Sequence, residues 1–184
     1  MVLAGAVASV WLVFAVLPRW LNTTAISGTL APASTAAADT RRIRATLFYV
    51  SESGDTLDPV DREVPYAATP VEQARRILDT EFGPAPQGLV SPIPAGAAVR
   101  SVFLTPRGDA YVDVNADIVT AHTGGSLDEA LTVFAIVNAL TVNMPGITGV
   151  QILVNGTQVD SLVGHLDLRR PLARSMQWVK KDNK

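Results

Sequence analysis

VRSVFLTPRGDAYVDVN (99–115) decides the fold class. Two short runs rich in β-branched and aromatic residues flank Pro106-Arg107-Gly108, a turn signal, so the stretch reads as a β-hairpin. In the second run Ala110, Val112 and Val114 alternate with Tyr111 and Asp113, the period of a strand with one face in a core. A strand pair of this kind needs an apolar layer to cover it, and the flanking sequence supplies helices.

Downstream, GSLDEALTVFAIVNALTVN (125–143) predicts a helix starting at Ser126. Glu129 stands three residues on, the spacing of a capping box, and Leu127, Leu131, Phe134 and Val137 form an inner stripe. Met144-Pro145-Gly146 ends it. Upstream, T-P-V-E places Thr69 as N-cap, Pro70 at the first helical position and Glu72 to close a second box. Val71, Ala74, Leu78 and Phe82 recur at helical spacing before Gly83-Pro84. ATLFYV (45–50) reads as a strand, and TLDPVDREV (56–64) as an irregular return strand that Pro59 confines to an edge or a bulge. VQILVNG (150–156) is the last strand and closes in an Asn-Gly turn. The order β, helix, β, β, helix, β predicts an α+β fold, a mostly antiparallel sheet with two helices on one face.

The chain of 184 residues carries a different signal at its front. Residues 1–17 contain no charge, and with Trp20 and Leu21 the run reaches the ~20 apolar residues of a membrane span. No Lys or Arg precedes residue 19, and the first A-x-A (36–38) lies far past the run, which favours an uncleaved anchor over 1–21 above a cleaved signal. Residues 22–40, rich in Ala, Thr and Ser, read as a flexible linker. The body spans 41–174 and a basic tail 175–184. Over 39–168 there are 8 basic and 16 acidic residues, whereas 169–184 holds 6 basic and 1 acidic. The acidic body excludes a nucleic-acid footprint. Arg19, Arg41, Arg42 and Arg44 all follow the apolar run, which taken alone would leave the body in the cytosol.

Chemistry is sparse. With no Cys there is no disulfide, thiolate metal site or acylated anchor. His165 with Asp167 in G-H-L-D is the one pair resembling part of a catalytic triad, but no Ser stands at a nucleophile elbow. His122, Asp117 and Asp113 lack ligand spacing, so no metal is expected. Glu81 and Asp113 are carboxylates without a distinguishing mark for glycoside chemistry. Gly124-Gly125 before Ser126 lacks the Lys of a phosphate loop and offers at most a nonspecific anion site at a helix N-terminus. No catalytic, cofactor or metal residue is assigned.

The ordered set TLFYV (46–50), REVP (62–65), TPVEQARRIL (69–78), FGP (82–84), SPIPAGAAVRSVFL (91–104), GDAYVDVNADI (108–118), GSLDEA (125–130), IVNALT (136–141), GVQILVNG (149–156) and GHLDLRRPL (164–172) resembles the GerMN domain. That domain occurs in sporulation and germination proteins and in bacterial envelope lipoproteins. The resemblance implies a ring-building-motif-like fold outside the cytoplasm, with no enzymatic activity and no cofactor. It implies action through contacts with other envelope proteins or through homo-oligomerisation. This outweighs the charge asymmetry around the apolar run and makes the chain a single-pass membrane protein with its body outside the cytoplasm. The reading from a different class is a cell-wall-acting enzyme or a small-ligand or peptidoglycan-binding domain.

Overall fold

The computed structural model describes residues 41–181. The anchor 1–21 and linker 22–40 lie outside the described residues, as does the end of the basic tail. Among the described residues no helix is long and apolar enough to cross a membrane.

Strand β1 (Arg42–Val50) pairs antiparallel with β2 (Leu57–Pro65). Helix α1 (Pro70–Glu81) follows. Strands β3 (Val99–Leu104) and β4 (Asp109–Val114) form the expected hairpin. A short helix α2 (Asp117–Thr120) leads to the long α3 (Ser126–Asn143), then β5 (Gly149–Val154) and β6 (Thr157–Gln158). The class is α+β, but the strands make two sheets, β1-β2 and β3-β4-β5-β6, instead of one. Three of the four pairings are antiparallel; β4 and β5 run parallel. The reason is the crossover: α3 carries the chain back to the end from which β4 started, and a strand entered there can only run alongside it.

Local chemistry explains the elements. Thr69 caps α1, its hydroxyl oxygen accepting from the Glu72 N–H at 3.3 Å. The Glu72 carboxylate accepts from the Thr69 hydroxyl at 2.9 Å. The buried stripe of α1 is Ala74, Ile77, Leu78 and Glu81, whereas Val71 is 41% exposed and lies off the inner face. Gly108 in the β3–β4 turn sits at φ +91°, and a Cβ there would meet the Gly146 carbonyl at 2.9 Å. Asn155 and Gly156 both take positive φ in the β5–β6 turn, the geometry an Asn-Gly hairpin turn requires.

The second helix departs most from expectation. Every residue of α3 from Glu129 to Thr141 is buried, so it has no solvent face and the single inner stripe does not describe it. It packs on β1 of one sheet, β5 of the other, α1 and a 3-10 turn at Met176–Trp178. The two helices therefore do not simply cover one face of one sheet. Residues 175–180 complete the packing: Trp178 stacks on Phe134 with ring centroids 6.0 Å apart, and the Lys180 N–H donates to the Leu57 carbonyl at 2.9 Å. Phe134→Ala opens a void under Trp178, and a loss of ~3–5 kcal/mol in denaturant unfolding is expected.

Candidate functional site

The side chains with the most unusual surroundings are two buried carboxylates, Glu129 and Glu81, both fully inaccessible. Glu129 lies one turn into α3. The helix N-cap is Gly125 and no side chain caps it, so the expected Ser126–Glu129 capping box does not form. Glu129 turns inward instead. Its Oε1 accepts from the N–H groups of Leu162 at 2.8 Å and Val163 at 3.1 Å; its Oε2 accepts from that of His165 at 2.8 Å. The His165 ring Nδ1 stands 3.2 Å from Oε2. Burial pushes this carboxyl up, but the backbone donors outweigh burial and hold it below the ordinary range.

Glu81 ends α1 beneath β1. Its two oxygens accept from the Phe48 N–H at 3.2 and 3.4 Å. Here burial dominates, and the carboxyl is raised from 4.5 to about 8 despite that bond and the Arg62 charge. Two residues away along the same edge, the Asn143 carboxamide donates to the Thr46 carbonyl at 2.7 Å and accepts from its N–H at 2.8 Å. The Val50 N–H donates to Val90 O at 2.9 Å. Side chains from the ends of α1 and α3, with one loop carbonyl, thus occupy the edge of β1 where another strand would pair.

The other sequence candidates are dispersed. His165 and Asp167 do not share a partner: His165 faces Glu129, while Asp167 forms a two-oxygen pair with Arg169 at 2.9 and 2.8 Å. The reason is local, since Arg169 stands two residues from Asp167 on an exposed turn. Asp113 accepts from the Gly156 N–H at 2.6 Å and meets Arg100 at 3.4 Å, so it fastens the Asn-Gly turn and is not paired with Glu81. Asp117 accepts from the Asn115 carboxamide at 3.0 Å. His122 Nδ1 accepts from the Gly124 N–H at 3.0 Å, and its Nε2 is 3.2 Å from the Thr132 hydroxyl. That hydroxyl donates to Pro92 O at 2.6 Å, so Nε2 carries the ring proton. Among the described residues no group of His, Asp or Glu is placed to hold a metal. The Gly124-Gly125 lead-in is followed by Asp128 and Glu129 in the first turn, which oppose an anion there.

The described residues also form concave surfaces, one of them mostly apolar. A mostly apolar groove of about 560 Å³ lies between the start of α1, the end of β3 and the turn after α3. Tyr66, Leu104, Met144 and Ile147 line it, with Asn143 and Asp109 as polar members. Sequence reading did not find it, because its walls come from segments far apart in the chain.

A profile described as sporulation and spore germination (Germane) matches residues 46–160. The chain belongs to this family. The GerMN fold is visible in solved relatives. Tandem GerMN domains of the sporulation protein GerM from Bacillus subtilis align over 72% of this chain and 46% of that one, at 21% identity and a TM-score of 0.58. This GerMN-domain chain thus spans about half of that tandem structure. The first GerMN domain of the same protein aligns over 72% and 98%, at 21% identity and a TM-score of 0.56. A Clostridium perfringens lipoprotein aligns over 72% and 87%, at 19% identity and a TM-score of 0.51. No curated protein sequence matches the chain.

The two carboxylates titrate against stability with opposite sign. Glu81, raised in the folded state, contributes fully below about pH 4.5 and loses that contribution as pH rises towards 8. Glu81→Gln keeps the acceptor for Phe48 without the charge. Relative to wild type, the variant is expected to gain on the order of 3 kcal/mol between pH 5 and pH 8, measured by urea unfolding at both. Glu129, held low, stabilises above its unfolded pKa and loses this as pH falls. Glu129→Ala leaves three main-chain donors unpaired and is expected to cost about 3 kcal/mol or more, with faster amide exchange at Leu162, Val163 and His165. His165→Ala, which keeps the main-chain bonds, is expected to cost under about 1 kcal/mol.

Proposed function

We propose that this GerMN-domain protein is a non-enzymatic module, held at the membrane by residues 1–21 with its body outside the cytoplasm, that works through contacts with other envelope proteins. The observation that carries the reading is the fate of the polar candidates. Glu129, Glu81, Asp113 and the His122 ring each bind main-chain groups of the same fold, and the side-chain partners of Glu129, Asp113 and His122 are structural too. A catalytic constellation instead needs polar groups converging on a space where substrate can sit. Family membership supports a role in sporulation or germination. The relatives described as a sporulation protein and as a lipoprotein support an envelope location. The uncharged run at 1–17, with Trp20 and Leu21, has the length of a membrane span and supports an anchor.

The groove beside Leu104 favours the second reading, a small-ligand binder acting on cell-wall material, because concave apolar surfaces with a few polar members are where such ligands sit. A topology experiment tests location and anchoring. Protease added to osmotically intact protoplasts is expected to degrade the body, while untreated protein of full-length mass stays with the membranes. A protected body overturns the orientation; a mature chain beginning near Asp39 overturns the anchor. Turnover of purified peptidoglycan fragments by the full chain, lost in His165→Ala at unchanged melting temperature, would replace the module with an enzyme.

A further inference from the structure

The strand edges of β1 and β3 are treated differently, while the outer edge of β2 carries two prolines, Pro59 and Pro65, which ordinarily block pairing. On β1 the outward N–H groups of Thr46, Phe48 and Val50 are taken by Asn143, Glu81 and Val90. Strand β3 is an edge of the four-stranded sheet. The Thr105 N–H donates to Asp109 O, and Phe103 lies opposite Tyr111 in the same register. Antiparallel alternation therefore turns the N–H and C=O of Val102 and Leu104 away from β4. Among the described residues neither main chain finds a partner outside the sheet. Only the Arg100 carbonyl is covered, by the Arg75 guanidinium at 3.0 Å.

The side chains along this edge alternate, Val102 buried in the core, Phe103 exposed and Leu104 half-buried. Phe103 is 58% exposed, an unusual state for an aromatic residue on an edge strand, where charge or proline ordinarily blocks pairing. On the other face Leu104 borders the apolar groove. Arg107, in the turn that ends β3, is exposed and forms no ion pair among the described residues, and the same holds for Arg76 on α1. Resting on the interaction-module reading, we propose that the Val102–Leu104 edge of β3 takes an extended, acidic-flanked segment of a partner protein as an added strand. One apolar side chain of that segment lies on Phe103, and the next enters the groove beside Leu104. The alternation of side chains along a strand places successive residues on these two surfaces. Main-chain bonds supply affinity, the groove supplies selectivity, and Arg107 favours an acidic residue at the end of the segment.

The probe is a synthetic seven-residue peptide with glutamate at both ends, threonine beside each and three consecutive leucines at its centre, so that adjacent leucines fall on opposite faces, added to the full chain in detergent micelles. Two N-methylated versions block alternate peptide amides in the two opposite registers. Amide exchange at Val102 and Leu104 is expected to slow at least about tenfold on adding the parent peptide. Methylation in one register is expected to weaken binding by at least about tenfold, while the other register leaves it unchanged. Equal effects of the two registers, no binding at millimolar peptide, or protection of Val102 and Leu104 by self-association without peptide would each overturn the proposal. In cells, a photo-crosslinking residue replacing Phe103 is expected to capture a partner. Capture only from the distant exposed positions Glu52 and Arg170 overturns the β3 edge and leaves the module reading intact. Capture from none of the three overturns both.

Discussion

A helix buried over thirteen consecutive residues leaves no side of itself to water, and every polar group it carries must be answered by protein. Helix α3 is in that position: the Thr141 hydroxyl turns back to the helix's own Val137 carbonyl, and four other polar residues fasten a different segment each. Glu129 gathers the main chain of 162–165, Thr132 holds Pro92, and Asn138 exchanges two hydrogen bonds with Ser175. Asn143 does the same for Thr46 on β1. Both sheets, the Pro-rich connection before β3 and the C-terminal segment are therefore positioned from one element. An unpaired polar group in such a place costs as much as a lost apolar contact, so these residues act as fasteners rather than exceptions to the core.

Much of this was legible in the order of residues, for reasons that can be named. The β3–β4 hairpin declared itself through strict alternation and a Pro-Arg-Gly turn, and α1 through the Thr69 cap. Membership in the GerMN family was carried by an ordered set of short matches, none decisive alone. What failed were inferences about faces. The run LTVFAIVNAL reads as an amphipathic stripe only if Thr132 and Asn138 are assigned to solvent, whereas both are buried. The split into two sheets had a signal in Leu47, Phe48 and Tyr49, three consecutive buried residues that a strand covered on one side does not need. The parallel β4–β5 pairing also had one, because a lone helix between neighbouring strands returns the chain to the same end.

The buried carboxylates were the least legible parts of the molecule. Glu129 stands at the position of a capping box and Glu81 at the last turn of a helix, both ordinary places for an exposed acid. Periodicity cannot distinguish a carboxylate that meets water from one that meets the backbone of a segment 33 residues away. The same is true of the groove beside Leu104, whose walls are assembled from four separated segments. What the two acids share is the group they serve, the main-chain N–H. They differ in how many of them they hold, and that number sets which form of the acid each favours.

The fastening of β1 from afar has a consequence for biogenesis. A polypeptide emerges N-terminus first, and the β1–β2 hairpin is complete long before Asn143 exists, 97 residues after the strand residue it covers. At ~5–20 residues per second of synthesis, the open edge waits roughly 5–20 s for its cover. During that interval Thr46 presents unpaired backbone, whereas Phe48 waits only for Glu81, 33 residues on. Among the described residues, the nascent chain is therefore open to wrong strand pairing longest at its first-made hairpin, which stays exposed until the end of α3 arrives.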